Sequence, residues 1–277
     1  MYKPITLILA VTLLLVFSCK KNNEQQKPDT PSVKYPITLN VSAFTQSTEG
    51  MRQASGKAAA AGAIDTLRKY ANYIYCYIYE KRNNSWYFLK SQKQTEASPD
   101  FGSIKDSVAA GEYKICVFAT QDTLLLDEWE TGFRAVIFPW PNGDAFGKTF
   151  TKVVSGNVQE TIALDRIVAK VEINIKDRVP MDAVKLRFDN ELTHWNVLDL
   201  VDWEPFFPWE GKMWPPAFTL PDSVKGTTNL KLTSHLVVID SLVTTTFLTY
   251  FNANNQSLAH VAIPSVKYKA NQKIILT

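Results

Sequence analysis

The 277-residue chain carries 30 Lys and Arg against 27 Asp and Glu, a formal charge of +3, with 12% aromatic residues and 11 glycines. That length allows two domains of ordinary size. The near-even charge, without a basic block or stripe, argues against a nucleic-acid partner, and the Val, Ile, Thr, Tyr and Phe of the patterned segments make a β composition.

Residues 1–18 read as a signal peptide. The α-amino group and Lys3 precede an apolar run from Ile5 to Phe17. Its length, about 13 residues, suits a secretory signal and is too short to span a bilayer. Ser18-Cys19 ends the run and resembles the lipobox of bacterial lipoproteins, with Val16 where leucine is commoner. The resemblance implies that the Cys19 thiol is acylated, that residues 1–18 are removed, and that lipid then ties Cys19 to the outer membrane. Two or three acyl chains make the anchor stable, since each buried CH₂ contributes about 0.8 kcal/mol and one chain alone is marginal. Lys20 and Lys21 stand where an acidic surface-export signal is expected, so surface-facing and periplasm-facing anchoring are both open.

Residues 19–34 are polar, contain Pro28 and Pro31, and lack hydrophobic periodicity, which predicts an extended, mobile tether. From Tyr35 onward Ile37, Leu39 and Val41 alternate with Thr38, Asn40 and Ser42, predicting a first strand. Residues 45–64 combine Gly50, Gly56 and Gly62 with four alanines at 58–61; a flexible loop is expected there rather than a helix, and Arg52 lies in it.

Strands are predicted at 72–81 and 86–91, joined by a turn at 82–85, and then near 101–108, 112–121, 135–138 and 157–164. Cys76 shares a face with Ile74 and Ile78, whereas Cys116 falls opposite Tyr113, Ile115 and Val117. One thiol is expected to point inward and the other outward, which disfavours a disulfide between them. From Asp165 to Lys176 alternation is strict, with Ile167, Ala169, Val171, Ile173 and Ile175 on one face. A strand at 183–189 follows. Residues 235–239 and 243–251 read as a hairpin around Asp240-Ser241, and strands at 257–264 and 272–277 close the chain. Many short strands without a long amphipathic helix define an all-β chain of sandwich type.

Nothing in the pattern carries catalysis. His194, His235 and His260 are far apart, none at metal-ligand spacing, and there is no nucleophile elbow, phosphate loop or nucleotide-binding glycine fingerprint. No catalytic residue, metal or cofactor is therefore expected. The unusual stretch is 194–218, where Trp195, Trp203, Phe206, Phe207, Trp209, Trp214 and Phe218 interleave with Pro205, Pro208, Pro215 and Pro216. The prolines stop regular pairing and stiffen a loop. Exposed, such rings would stack on a glycan or anchor a host protein; buried, they would form a satellite core. A smaller group, Trp129, Phe133, Phe138, Trp140 and Phe146, is expected to be buried.

Taken in order, several stretches resemble the fimbrillin-like lipoproteins, the anchor, accessory and pilin subunits of Bacteroidia-type fimbriae. These are the lipobox and tether, Asp100-Phe101-Gly102-Ser103-Ile104, and Ala110-Gly111-Glu112-Tyr113-Lys114-Ile115. The strongest is Ala163-Leu164-Asp165-Arg166-Ile167-Val168-Ala169-Lys170-Val171, and the strands around Ile263-Pro264-Ser265-Val266 and Ile274-Ile275-Leu276-Thr277 complete the series. The resemblance implies two tandem transthyretin-like Greek-key β-sandwich domains, 35–164 and 165–277, and a structural role beside other fimbrial subunits through β-strand complementation. In pilin members an arginine-specific protease removes the N-terminal strand, and Arg52 is placed to be such a site. Anchor members keep that strand. The two fates exclude each other, because a cut at Arg52 severs the body from Cys19. An anchor or accessory subunit is the expectation; the alternative is a free-standing surface lipoprotein that binds glycan or host protein through the Trp-rich stretch.

Overall fold

The computed structural model describes residues 33–45, 67–129, 132–137, 143–190, 197–202, 204–205 and 217–277. The chain opens with β1 (Lys34–Thr45), β2 (Tyr73–Arg82), β3 (Ser85–Thr95), β4 (Ser103–Ala109) and β5 (Gly111–Thr120). β6 (Leu125–Trp129) and β7 (Gly132–Ile137) form a small antiparallel pair, and β8 (Ala145–Val154) and β9 (Val158–Arg166) follow. Then come β10 (Val168–Ile175), β11 (Lys185–Asn190), β12 (Val197–Asp199), β13 (Glu204–Pro205) and β14 (Ala217–Thr219). A short 3-10 turn at Asp222–Val224 leads into β15 (Leu230–Val237), β16 (Ser241–Phe251), β17 (Ser257–Lys269) and β18 (Lys273–Leu276).

Seven strands make one sheet in the order β3-β2-β5-β8-β9-β1-β4. Ile37, Ile74, Ile104, Ile115 and Ile162, from five of those strands, share one core with Phe101 and Leu67. The sheet therefore curls over its own apolar face, and its two end strands come together. The β2–β3 hairpin turns on Asn83 and Asn84, both with positive φ (48° and 62°), the geometry that follows the right-handed twist of the flanking strands.

The second half packs a three-stranded sheet, β15-β10-β18, on a four-stranded one, β14-β11-β16-β17. Val171 and Ile173 from the first layer meet Leu186, Phe188, Leu248 and Tyr268 from the second in a separate core. A third core covers the outer face of β2 and β5: Tyr75, Tyr77, Tyr79, Cys116 and Phe118 pack with Ile167, Val168, Leu198, Leu200 and Val237. The remaining sheet, β13-β12-β7-β6, pairs strands from both sides of residue 164. Together these contacts make Lys34–Thr277 one compact unit.

Three expectations need correction. Residues 235–251 are not a hairpin: β15 pairs with β10, and β16 with β11 and β17. Between them Leu236 and Val238 enter the second core while Val237 enters the third, so the run crosses between layers and is apolar on both faces. The alternating segment from 165 breaks at Ile167, which leaves the face of Ala169, Val171 and Ile173 and joins the third core. Cys116 does lie on the face opposite Cys76, and both thiols are free, but the outward face is itself buried. β6, β8 and the short β12, β13 and β14 went unpredicted, and Pro205, expected to stop pairing, lies in β13 opposite Leu198; in β8, Gly147, Lys148 and Lys152 mask the contribution of Phe146, which is fully buried.

Candidate assembly site

β1 is an interior strand. It pairs antiparallel with β4, Lys34 to Asn40 opposite Ala109 to Ser103, and parallel with β9 from Ile37 to Thr45. Ile37, Leu39 and Val41 point into the first core, as their alternation predicted. A bulge between Val41 and Ala43 re-aims the end of the strand. At that point the Val41 amide donates to the Gly102 carbonyl at 2.8 Å. Gly102 has φ +93°, and a Cβ there would lie 2.7 Å from Leu67 Cδ1, so only glycine suits the turn that holds β1 against β4. The strand is thus clamped on both edges and by its side chains.

The rolled sheet is sealed where β3 meets β4. Gln94 Nε2, Gln92 Nε2 and Lys90 Nζ donate to the carbonyls of Ser103, Lys105 and Ser107 at 2.9, 3.0 and 2.6 Å. Lys90 and Gln92 also reach the Asp106 carboxylate, at 2.5 and 2.7 Å. Three alternate side chains thereby satisfy three alternate carbonyls on the free edge of β4, doing what a further strand would do. The β3 bulge makes this possible. Opposite Ile78 and Tyr79 stand Lys90 and Phe88, so Leu89 is the extra residue. Before it Trp86 and Phe88 face the third core; after it Lys90, Gln92 and Gln94 face the seam. Alternation alone puts Lys90, Gln92 and Gln94 on the face of Trp86 and Phe88, and the hint in the sequence is the regular spacing of long donors.

At the junction, Arg166 closes β9. Its Nε and Nη2 donate to Asp144 Oδ1 and Oδ2 at 2.8 and 2.7 Å, and its Nη1 donates to Asn271 Oδ1 at 2.9 Å. The guanidinium lies 4.9 Å over the Phe146 ring. The Asn271 amide donates to the Val168 carbonyl at 2.8 Å, so one arginine couples the β8–β9 region to the turn between β17 and β18. Arg166 stands inside the stretch that carried the strongest family resemblance.

Cys19, Arg52, Trp195, Trp203, Phe206, Phe207, Trp209 and Trp214 lie outside the described residues. Phe218 of the same stretch is buried in the second core, opposite Leu186. Upstream, β12 pairs with β7, and Leu198 and Leu200 enter the third core. The Asp199 carboxylate there accepts from the amides of Val201 and Asp202 at 2.7 and 3.0 Å. Of the smaller aromatic group, Phe146 is buried and stacks on Phe44 at 4.0 Å; Trp129 and Phe133 belong to β6 and β7, while Phe138 and Trp140 lie outside the described residues. His260 sits on β17, its Nδ1 2.8 Å from Thr249 Oγ1 and its ring stacked on Phe247. Among the described residues no group of His, Cys, Asp and Glu could hold a metal ion, and no helix is long and apolar enough to cross a membrane.

No family model and no curated protein matches the chain. Solved structures do. A candidate adhesin from Bacteroides ovatus superposes at a TM-score of 0.51 with 10% identity, over 90% of this chain and 91% of that one. The fimbrial anchor protein Mfa2 from Porphyromonas gingivalis gives 0.45 with 10% identity over 83% and 82%. A candidate polysaccharide-binding protein from Bacteroides thetaiotaomicron gives 0.44 with 9% identity over 82% and 80%. The chain therefore has the fold of the Bacteroides ovatus protein across nearly its whole length.

Proposed function

We propose that the chain is a lipid-anchored, cell-surface fimbrial subunit of anchor or accessory type, held in the outer membrane by Cys19, which joins other fimbrial subunits by β-strand complementation in support of adhesion. The observation that carries this reading is the place of β1. The strand that follows the predicted tether is not a peripheral ribbon but an interior member of the seven-stranded sheet, paired on both edges. Tension on the lipid would then be taken by backbone hydrogen bonds along both sides of β1 and by the burial of Ile37, Leu39 and Val41. We read the described fold as two tandem transthyretin-like Greek-key sandwiches, 35–164 and 165–277, that share the third core. In the anchor state Arg52 stays uncut and β1 stays in place.

The test is made on the full chain in its native cells. Cys19→Ser should move the protein from the membrane to the soluble fraction, and the unaltered protein should co-purify from detergent extract with polymerised fimbrial subunits. A chain that stays in the membrane without Cys19, or that brings no other subunit with it, sinks the proposal.

A further inference from the structure

The second sandwich is uneven, three strands over four. β17 is the free edge of the four-stranded layer and runs 13 residues, while the facing edge strand β18 has four. Val261 pairs in register with Leu248, a member of the second core, so it points to the core side of its sheet. It is nevertheless 52% exposed. Beneath Val261 and Ile263, a cleft of about 260 Å³ opens over Ile175, Tyr250 and Leu276. An inward-facing valine left half in water means that a strand's worth of cover is missing there.

The edge of β17 shows what kind of group would supply the cover. Its second half is protected against pairing: Pro264 lacks an amide proton, Ser265 has positive φ, the strand bulges opposite Thr244 and Thr246, and Lys267 and Lys269 follow. Residues 257–263 have no proline and no lysine, arginine or carboxylate, so their outer amides and carbonyls remain open to a further strand. Two more features point to an occupant. The Tyr250 hydroxyl is buried at the cleft with no hydrogen-bond partner among the described residues. Lys176 and Arg178 at its mouth, and Lys231 in the adjoining hollow of about 320 Å³, form no ion pair among the described residues, with Asp177 the one acidic side chain lining the cleft.

We propose that this cleft accepts a β-strand of a partner polypeptide, about seven residues long, apolar at alternate positions and acidic at the end that meets Lys176, Arg178 and Lys231. The strand pairs with the outer edge of β17 at 257–263 and drops its apolar side chains onto Val261, Ile263 and Leu276. The proposal rests on the reading that the chain joins other polypeptides by strand addition, and it names a second acceptor apart from the slot that β1 fills.

The probe is a synthetic peptide of about nine residues, valine alternating with threonine and ending in two aspartates, titrated into the full chain in detergent with hydrogen exchange read in parallel. Exchange at the amides of 257–263 should slow. Val261→Lys, at a half-exposed position, should weaken binding at least about tenfold, and Lys231→Glu, on an exposed side chain, about tenfold with weaker salt dependence. The same peptide ending in two lysines should regain affinity on Lys231→Glu. Unchanged binding in both variants, protection confined to other strands, displacement of the peptide by dodecanoate, or a homodimer cross-linked through Val261→Cys would each overturn the site. Peptide binding without co-purified subunits would remove the fimbrial assignment alone; co-purification without peptide binding would remove this acceptor alone.

Discussion

Arg166 and Asp144 meet in a bidentate ion pair, with both side chains almost wholly withdrawn from solvent. Asn271 completes the arginine's contacts from the turn between β17 and β18. Breaking a buried pair by removing one partner leaves the other charge uncompensated, which costs about 3–5 kcal/mol. Arg166→Ala should therefore lower the unfolding free energy measured in urea by an amount in that range, and Asn271→Ala by about 1 kcal/mol. The double variant Arg166→Met with Asp144→Leu removes both charges and should recover most of the loss. A double variant as unstable as Arg166→Ala would show that packing over Phe146, not charge pairing, is what the arginine supplies.

The seam between β3 and β4 predicts a change in association. A neutral side-chain donor to a carbonyl is worth about 1 kcal/mol, so Gln92→Ala or Gln94→Ala alone should shift urea unfolding modestly. Replacing Lys90, Gln92 and Gln94 together by alanine strips the cover from two sheet edges at once. Light scattering should then detect self-association absent from the unaltered protein, because open edges template strand pairing. A triple variant that stays monomeric would mean the seam is closed by curvature of the sheet rather than by its side chains.

Much of the sandwich was legible because most strands bury one face. Ile37, Leu39 and Val41, and later Ala169, Val171 and Ile173, sit where period-two alternation puts them. Legibility failed where both faces are buried or where register slips. Leu236, Val237 and Val238 serve two cores, and so read as an ordinary strand end instead of a crossing between layers. Leu89 is a single extra residue, and it alone turns Lys90, Gln92 and Gln94 from the face of Trp86 and Phe88 to the seam. Gly102 and Arg166 stood within stretches whose family resemblance was evident. Their roles, a positive-φ turn and a link from β9 to the turn between β17 and β18, depend on partners distant in sequence: Leu67 for the glycine, Asp144 and Asn271 for the arginine.

The buried thiols and phenols predict how stability falls in alkali. Burial pushes Cys116 from 9.0 up to about 12, partly offset by its contact with Thr149. Cys76 is raised by burial as well. Burial takes Tyr268 from 10.0 up to about 12, against the opposing effect of its 2.5 Å contact with Thr246. In each the neutral form is favoured by the fold, so the stabilisation is whole below the ordinary value and is lost as pH climbs toward the folded one. The urea midpoint should hold near pH 8 and decline between about pH 9 and 12. Cys116→Ala should flatten part of that decline. Both thiols should resist iodoacetamide at pH 8 until the chain unfolds.

The last prediction concerns β1. A chain starting at Gln53 lacks β1 and with it Ile37, Leu39 and Val41 from the first core, and it exposes the inner edges of β4 and β9. Removing three buried aliphatic side chains forfeits about 1.5–3 kcal/mol each from burial alone, a large share of an ordinary domain's net stability. The truncated protein should therefore aggregate or lose its near-ultraviolet circular dichroism. Adding a synthetic peptide with the sequence of residues 34–45 should restore both solubility and signal, since the empty slot offers two ladders and a groove for alternate apolar side chains. A scrambled peptide of the same composition should not, because a one-residue shift turns its apolar set away from the groove. If the truncated chain folds alone with native spectra, β1 is dispensable, and the proposal that it carries the load from the lipid fails with it.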